Sequence, residues 1–362
     1  MRIVAAMSGG VDSSVAAALL ADEGQDVIGL SMQLYDQREG DIKFGSCCTL
    51  DDLHDARRVA SILGIPHYIM NFERQFNERV VSNFVEEYTA GRTPIPCVRC
   101  NGDLKFTTLL DRARGFGAPT VATGHYARVV QADNGSYLLK RGLDANKDQS
   151  YFLFTLNQSQ LACAKFPLGM LRKDEVRLYA ENRALPVARK PDSQELCFVP
   201  DGDYATFVER RTTKTPAVGP IADATGRILG SHAGVHRFTV GQRRGLGISS
   251  SVPLYVTALD AGSGTVTVGP RHELERSTLH ASNVNWVAGS PPPKNYRIAA
   301  QIRHQHRAAN ATVSALDGGR ARVDFEEAQP AITPGQAVVF YQDETVLGGG
   351  WISSSDSGTF SR

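Results

Sequence analysis

The chain has 362 residues, 42% hydrophobic and 21% charged, with 39 Lys+Arg against 38 Asp+Glu and a formal net charge of +1. This balance excludes an intrinsically disordered chain, and no apolar run approaches the ~20 residues a membrane-spanning helix needs. The opening MRIVAAMSGG lacks the long apolar stretch of a secretory signal, so a cytoplasmic protein with no membrane partner is expected.

At roughly 150 residues per domain the length implies two to three domains. The first two hundred residues alternate strand-like and helix-like segments. Ile3–Met7 reads as a short buried strand, and a helix over 12–23 follows, with Gly24 as its stop. Val27–Met32 is a second strand. A helix is expected from Leu50, capped by Thr49 with Asp52 three positions on and closed by Gly64. His67–Phe72 and Thr120–Tyr126 read as strands, with helical stretches near 76–90 and 101–116 between them. Strands alternating with helices imply βαβ crossovers, hence an α/β fold on a doubly wound parallel sheet.

Beyond about residue 212 the texture changes. Short runs such as HRFTV, PLYVTAL, GTVTVG, RARVDF and QAVVFY are separated by Gly, Pro and Ser turns, the pattern of small β-rich domains or barrels. The expected division is 1–212 for the α/β domain, 213–272 for a small central β-rich domain and 273–362 for a C-terminal β-barrel. The polar tail from Ser353 is expected to fray.

The strongest chemical signal is Ser8-Gly9-Gly10-Val11-Asp12-Ser13-Ser14, set between the first strand and the first helix. Two glycines admit close approach of a ligand to the backbone, and the first-turn N–H groups of the helix face outward with its dipole behind them. Ser and Asp also serve as ordinary helix caps, but the whole string in this position points to phosphate. It is neither a Walker A loop nor the Rossmann glycine pattern.

Of the six cysteines, at 47, 48, 97, 100, 163 and 197, Cys100 follows a proline-stiffened segment, Thr93-Pro94-Ile95-Pro96-Cys97-Val98-Arg99. A helix N-terminus with Arg99 and Lys105 nearby favours thiolate over thiol. Cys197 lies in DSQELCF, and nothing local brings it to Cys100. A structural zinc site needs about four ligands, usually in two pairs, and Cys47-Cys48 is a poor second pair. Roles for Cys47, Cys48 and Cys163 stay open.

SGGVDSS after a first strand resembles the loop of PP-loop ATP pyrophosphatases, which cleave ATP to AMP and pyrophosphate while adenylating an oxygen. The longer series CCTLDDLHDARRVASILGIP, PCVRCN, ATGHYAR, KDQSYFL, LRKDEVR, DSQELCF, FTVGQRRGLGI, TPGQAVVFY and LGGGWI resembles, nearly end to end, the tRNA-specific 2-thiouridylases. The resemblance implies ATP and Mg2+ as nucleotide and metal, with Asp12 placing the ion. It implies nucleotide contacts from Ala6, Met7, Ser8, Gly9, Gly10, Val11, Asp12, Ser13, Met32 and Gly124, and target-base contacts from Ile95, Pro96 and Cys97. Cys100 is then the nucleophile and Cys197 the persulfide carrier, the two forming a transient disulfide. tRNA contacts fall to His125, Lys147, Asp148, Gln149, Arg303, His304 and Gln336. The implied partners are a tRNA with uridine at the wobble position and a sulfur-relay protein or cysteine desulfurase, with no DNA. Cys97 stands where many relatives carry aspartate, which raises an alternative: a [4Fe–4S] cluster on Cys97, Cys100 and Cys197.

The charge distribution supports an RNA surface. Between Asp223 and Asp260 no acidic residue occurs while Arg227, Arg237, Arg243 and Arg244 do, and the stretch from Glu275 to Asp317 repeats the pattern with Arg276, Lys294, Arg297, Arg303 and Arg307. A PP-loop amide synthetase acting on a small carboxylate is the rival enzyme; it requires neither Cys100 nor Cys197. A non-catalytic RNA- or cluster-binding protein is the rival outside catalysis.

Overall fold

The computed structural model describes residues 1–35, 50–192, 196–199, 202–212 and 217–353. Thr49, Cys47, Cys48 and the tail beyond Ser353 lie outside these residues.

Five strands form the N-terminal sheet: β1 (Arg2–Ala6), β2 (Asp26–Gln33), β3 (His67–Asn71), β4 (Thr120–Ala122) and, after the hairpin β5 (Ala127–Gln131) and β6 (Tyr137–Arg141), β7 (Ala164–Lys165). Their order is β3-β2-β1-β4-β7, all parallel. The alternation of a buried strand decides which side chains go where. Ile3, Ala5 and Met7 join one core with α1 (Val11–Asp22) and α2 (Leu50–Leu63), while Val4, Ile28, Leu30 and Val121 join the other. From β1 the chain winds outward through β2 to β3, then returns to β4 on the far side of β1. The β1/β4 boundary is therefore the switch point, where a crevice opens outside the strands' carboxyl ends.

Three elements differ from the sequence expectation. The strand over 120–126 stops at Ala122, so Gly124 and His125 lie in the loop beyond it. Helix begins at Pro96, not near 101, and runs on through Cys100–Leu109 and Leu110–Gly115. Proline at the first helical position gives up no hydrogen bond and its fixed φ suits the helix, so the stiffened segment starts it. HRFTV is not a strand either; Val235–Arg237 is a single tight helical turn.

The central sheet runs β10 (Tyr255–Asp260), β11 (Thr265–Gly269), β8 (Gly219–Ala222), β9 (Ile228–His232), with β11 and β8 parallel. The last six strands are β12 (Glu275–Trp286), β13 (Tyr296–Gln301), β14 (Ala309–Leu316), β15 (Arg320–Pro330), β16 (Ala337–Gln342) and β17 (Thr345–Ile352). They follow the order β12-β15-β14-β13-β16-β17, and pairing of β12 with β17 closes a barrel around Leu279, Ile298, Val313, Val323 and Phe340. Thus an α/β sheet is followed by two β-rich units, the last a barrel.

The barrel is joined to the first sheet's unit by backbone. The β5–β6 hairpin adds to β17, with Val346 opposite Leu139. Thr93 N donates to Pro334 O at 2.9 Å, Gln336 Nε2 donates to Thr93 O at 3.0 Å, and Tyr151 OH donates to Ala337 O at 2.8 Å. The barrel therefore fixes both the segment that enters the Cys100 helix and the turn after Lys147-Asp148-Gln149.

Candidate functional site

The phosphate loop sits at the switch point. Gly10 is the N-cap of α1 with no side-chain cap bond, so the first-turn N–H groups are left for a ligand. Gly9 has φ of +75°, and a Cβ there would lie 2.2 Å from the Asp52 carbonyl oxygen. The serine hydroxyls shape the loop in this state. Ser13 Oγ and Ser14 Oγ donate to Gly10 O at 3.2 and 2.8 Å, and Ser8 N donates to Ser13 Oγ at 3.1 Å. Gly124, in the loop after β4, packs against the first turn of α1: a Cβ there would meet Ser13 N at 2.6 Å. Ala6 ends β1, and Met7 and Val11 are buried. Met32, near the end of β2, is 8% exposed, with its side chain in the core.

Asp12, in the first turn of α1, carries the electrostatics. Lys173 Nζ lies 2.8 Å from both its carboxylate oxygens, and Tyr126 OH donates to Asp12 Oδ1 at 2.8 Å. Burial and the Asp12 charge push the Tyr126 hydroxyl far above its ordinary pKa, keeping it a donor. Lys173 also lies 2.8 Å from Asp192 Oδ1, which Arg177 contacts at 2.9 Å, while Lys147 reaches Asp192 Oδ2 at 2.8 Å. Burial alone would raise the Asp192 carboxyl; Lys147 and Lys173 overcome it and hold its pKa down to about 2. Lys190 Nζ donates to Gly9 O at 3.1 Å, Asp52 Oδ1 at 2.6 Å and Asp55 Oδ2 at 2.7 Å. Burial pulls its pKa down, but the two carboxylates carry it above the ordinary lysine value. Asp52, expected as a helix-capping partner, therefore clamps Lys190.

Lys173, Lys190, Asp192, Arg177 and Tyr126 were not singled out by sequence. The motifs LRKDEVR and ATGHYAR contain three of them, but a separation of 161 residues hides the Lys173–Asp12 pair. Lys190 and Asp192, seven and five residues before Cys197 in the sequence, are bonded to the phosphate loop, Lys190 directly and Asp192 through Lys173. Phe198, beside Cys197, packs edge-on against Phe76 and Phe84 at 5.5 and 5.1 Å.

Cys97 is exposed; Cys100 and Cys197 are half-buried and pack against one apolar core. Ile95 is half-buried and Pro96 buried. Arg99 lies over the Trp351 ring at 5.3 Å, and Lys105 donates to Asn101 Oδ1 at 2.9 Å. A cleft bounded by Asn83, Arg92, Ile95, Arg99, Asn283 and Trp351 opens between this segment and the barrel. Among the described residues no three His, Cys, Asp or Glu side chains are grouped to hold a metal ion.

The residues expected to contact RNA divide into two kinds. Gln149 Oε1 accepts from Tyr126 N at 3.0 Å, Asp148 pairs with Arg141 at 2.7 Å and accepts from Ser150, and Lys147 holds Asp192. In this state the three serve the fold and the phosphate loop. His125 is 9% exposed, hydrogen-bonded to Thr123 at 2.7 Å, and burial together with Lys105 lowers its pKa far enough to keep it neutral. By contrast His304 is exposed, its ring 4.6 Å from that of Phe152, and half-buried Arg303 donates to Pro330 O. Arg243, Arg244, Arg297 and Arg307 are exposed, whereas Arg237 is taken up by Glu209.

Three family models match successive parts of the chain. A family model described as the tRNA methyl transferase HUP domain matches residues 1–201, a tRNA methyl transferase PRC-barrel domain matches 205–270, and an aminomethyltransferase beta-barrel domain matches 276–352. The tRNA-specific 2-thiouridylase MnmA of Geotalea uraniireducens is 53% identical over 97% of this chain and 94% of its own. The protein of that name from Geobacter metallireducens is 53% identical over 98% and 97%, and that from Chloroflexus aggregans 45% over 99% and 99%. Among solved structures, NMN synthetase from Francisella tularensis gives a TM-score of 0.33 at 16% identity, covering 59% of this chain and 78% of that one, too distant to inform the site. Identity of this order across almost the whole of both partners leaves one parentage: the chain belongs to the family of tRNA-specific 2-thiouridylases.

Proposed function

We propose that the protein is an ATP-dependent tRNA sulfurtransferase that replaces the 2-oxygen of the wobble uridine with sulfur. The observation that carries this reading is the tie between nucleotide and sulfur chemistry. Lys190 and Asp192, on the segment bearing Cys197, are bonded to Gly9 and, through Lys173, to Asp12 of the phosphate loop. An amide synthetase has no use for that link.

The chemistry needs both halves. A urea-like carbonyl is a poor electrophile and oxide a poor leaving group. Attack of the uridine O2 on the α-phosphorus of ATP breaks the bond to the bridging oxygen, pyrophosphate leaves with the electron pair, and the oxygen can now depart as AMP. The uncapped amides of α1 and of the Gly9-Gly10 turn suit phosphate oxygens. Magnesium is held in such sites by one or two carboxylates plus phosphate oxygens. The carboxylate of Asp12, partly open to solvent in the first turn of α1, fits that role, and the ion would supply charge neutralisation there.

Sulfur arrives as a persulfide on Cys197, charged by a sulfur-relay protein or desulfurase. The Cys100 thiolate attacks Sγ of Cys197; the persulfide S–S bond breaks, its electron pair leaves on the terminal sulfur as sulfide, and a Cys100–Cys197 disulfide forms. Sulfide adds to C2 and AMP leaves with the oxygen. An external thiol then reduces the disulfide. No step is routed through a cluster. The barrel and central sheet hold the anticodon arm, with Arg303, His304, Arg297, Arg307, Arg243 and Arg244 facing phosphate. Formation of AMP from ATP only when unmodified tRNA is present tests the first half; AMP formed equally without tRNA, or with a small carboxylate, would replace this reading.

A further inference from the structure

Lys173 is the side chain that joins the two halves of the site. Its side chain is 12% exposed, and its ammonium sits 2.8 Å from Asp12 on one side and 2.8 Å from Asp192 on the other. The Asp12 carboxylate thus already holds a cation with both oxygens, at the group that would hold the divalent ion. An ammonium and a divalent cation in contact with the same two oxygens repel each other strongly at this burial, so the two alternate. Asp192 keeps Lys173 at the site when it leaves Asp12, and its own further partners, Arg177 and Lys147, belong to the same network. Lys190 is committed to Gly9, Asp52 and Asp55 and shapes the loop. Tyr126, neutral and bonded to Asp12, supplies no charge.

We propose that Lys173 is an exchangeable counter-ion: it neutralises Asp12 before nucleotide arrives, yields Asp12 to the divalent ion that comes with ATP, and turns to the phosphate oxygens of the departing pyrophosphate while Asp192 holds it in place. It transfers no proton; it offsets charge as the bond between the α-phosphorus and the bridging oxygen breaks and the electron pair goes to pyrophosphate. This rests on the ATP reading above and adds to it an ordered exchange between lysine and metal.

The exchange has a signature that a merely structural lysine lacks, since two readouts move in opposite directions. In Lys173→Met the Mn2+ ion, titrated by electron paramagnetic resonance against nucleotide-free protein, binds at least tenfold more tightly than to wild type. At saturating ATP and tRNA the same variant forms AMP ~10²–10³-fold more slowly, the range for loss of one preorganised charge partner of the transition state. Lys173→Arg keeps the charge, so its Mn2+ affinity stays at the wild-type level, and it guards against a methionine variant that fails to fold. Unchanged Mn2+ affinity in Lys173→Met, or AMP formation within threefold of wild type, overturns the proposal. If Lys173→Met does not fold, tighter Mn2+ binding by Lys173→Arg than by wild type overturns it instead. A wild-type chain that forms no AMP with any tRNA overturns the ATP reading itself, a result distinct from an active wild type beside an equally active Lys173→Met.

Discussion

Substituting alanine at Gly9 separates the shape of the phosphate loop from its chemistry, because Gly24 provides a matched control. Both residues have left-handed backbone, with φ of +75° and +73°. Alanine at either site bears the same conformational penalty of ~1–2 kcal/mol. At Gly24 the new methyl meets nothing within 4 Å, so that penalty is the whole effect. At Gly9 it would lie 2.2 Å from the Asp52 carbonyl oxygen and 2.7 Å from the carbonyl carbon. No side-chain rotation relieves a backbone clash, so the gap must open by about 1.3 Å to reach an ordinary ~3.5 Å separation. Opening it moves the start of α2 away from the loop and strains the clamp that Lys190 makes across Gly9 O and Asp52. Misplacement of a reacting group by ~1 Å costs on the order of 10²-fold in rate. Gly24→Ala is therefore expected to lower Tm by ~2–4 °C for each kcal/mol lost, with tRNA-dependent AMP formation unchanged. Gly9→Ala is expected to form AMP about a hundredfold more slowly, with a comparable or somewhat larger fall in Tm. Gly9→Ala turning over within threefold of wild type would refute the reasoning, as would a loss of turnover in Gly24→Ala equal to that in Gly9→Ala.

Other outcomes follow from the same geometry. Cys100→Ser and Cys197→Ser should each abolish thiolation of tRNA while AMP still forms; normal thiolation by either would remove its assigned role. Tyr126→Phe deletes the hydroxyl that donates to Asp12 and should cost ~1 kcal/mol in stability, read by denaturant midpoint, because a half-buried carboxylate loses one partner. The Asp192 carboxyl, held near pKa 2 against an ordinary 3.8, favours the folded state above about pH 4, and that contribution is lost as pH falls toward 2. Wild type should therefore melt above Asp192→Asn at pH 7, and the two should converge as pH drops from 4 to 2; a constant gap would contradict the pairing. Arg303→Ala should weaken tRNA binding and reduce its salt dependence by about one phosphate contact, and an unchanged slope would place Arg303 off the RNA path.

Local pattern carried most of the α/β sheet. Apolar runs bounded by glycine placed β1 and β2 and the helices after them, since a strand buried on both faces is apolar throughout. The phosphate loop was legible because its function is written in contiguous residues. What the sequence hid depends on contacts between distant segments. The β5–β6 hairpin gives no sign that it pairs with β17, two hundred residues on. Lys173 reads as one more charge in LRKDEVR until the fold brings it to Asp12 and Asp192. Lys147-Asp148-Gln149 reads locally as a solvated polar loop, with RNA contacts implied only by the resemblance, and nothing in the string signals its bonds to Asp192, Arg141 and Tyr126. The helix start at Pro96 was misplaced because proline reads as a breaker in the middle of a helix but as an initiator at its first position.

The central claim, sulfur transfer to the wobble uridine through paired cysteines, is tested most directly by the product. Anaerobically purified protein, its iron content measured, is incubated with ATP, Mg2+, a persulfide source and unmodified tRNA, and the digested tRNA is examined for 2-thiouridine by mass spectrometry. The account predicts 2-thiouridine from iron-free protein, with a Cys100–Cys197 disulfide appearing in step with product when external thiol is withheld. Product only from iron-loaded protein would move the sulfur onto a cluster and contradict the two-cysteine route; no thiolated nucleoside from either preparation would contradict the function itself.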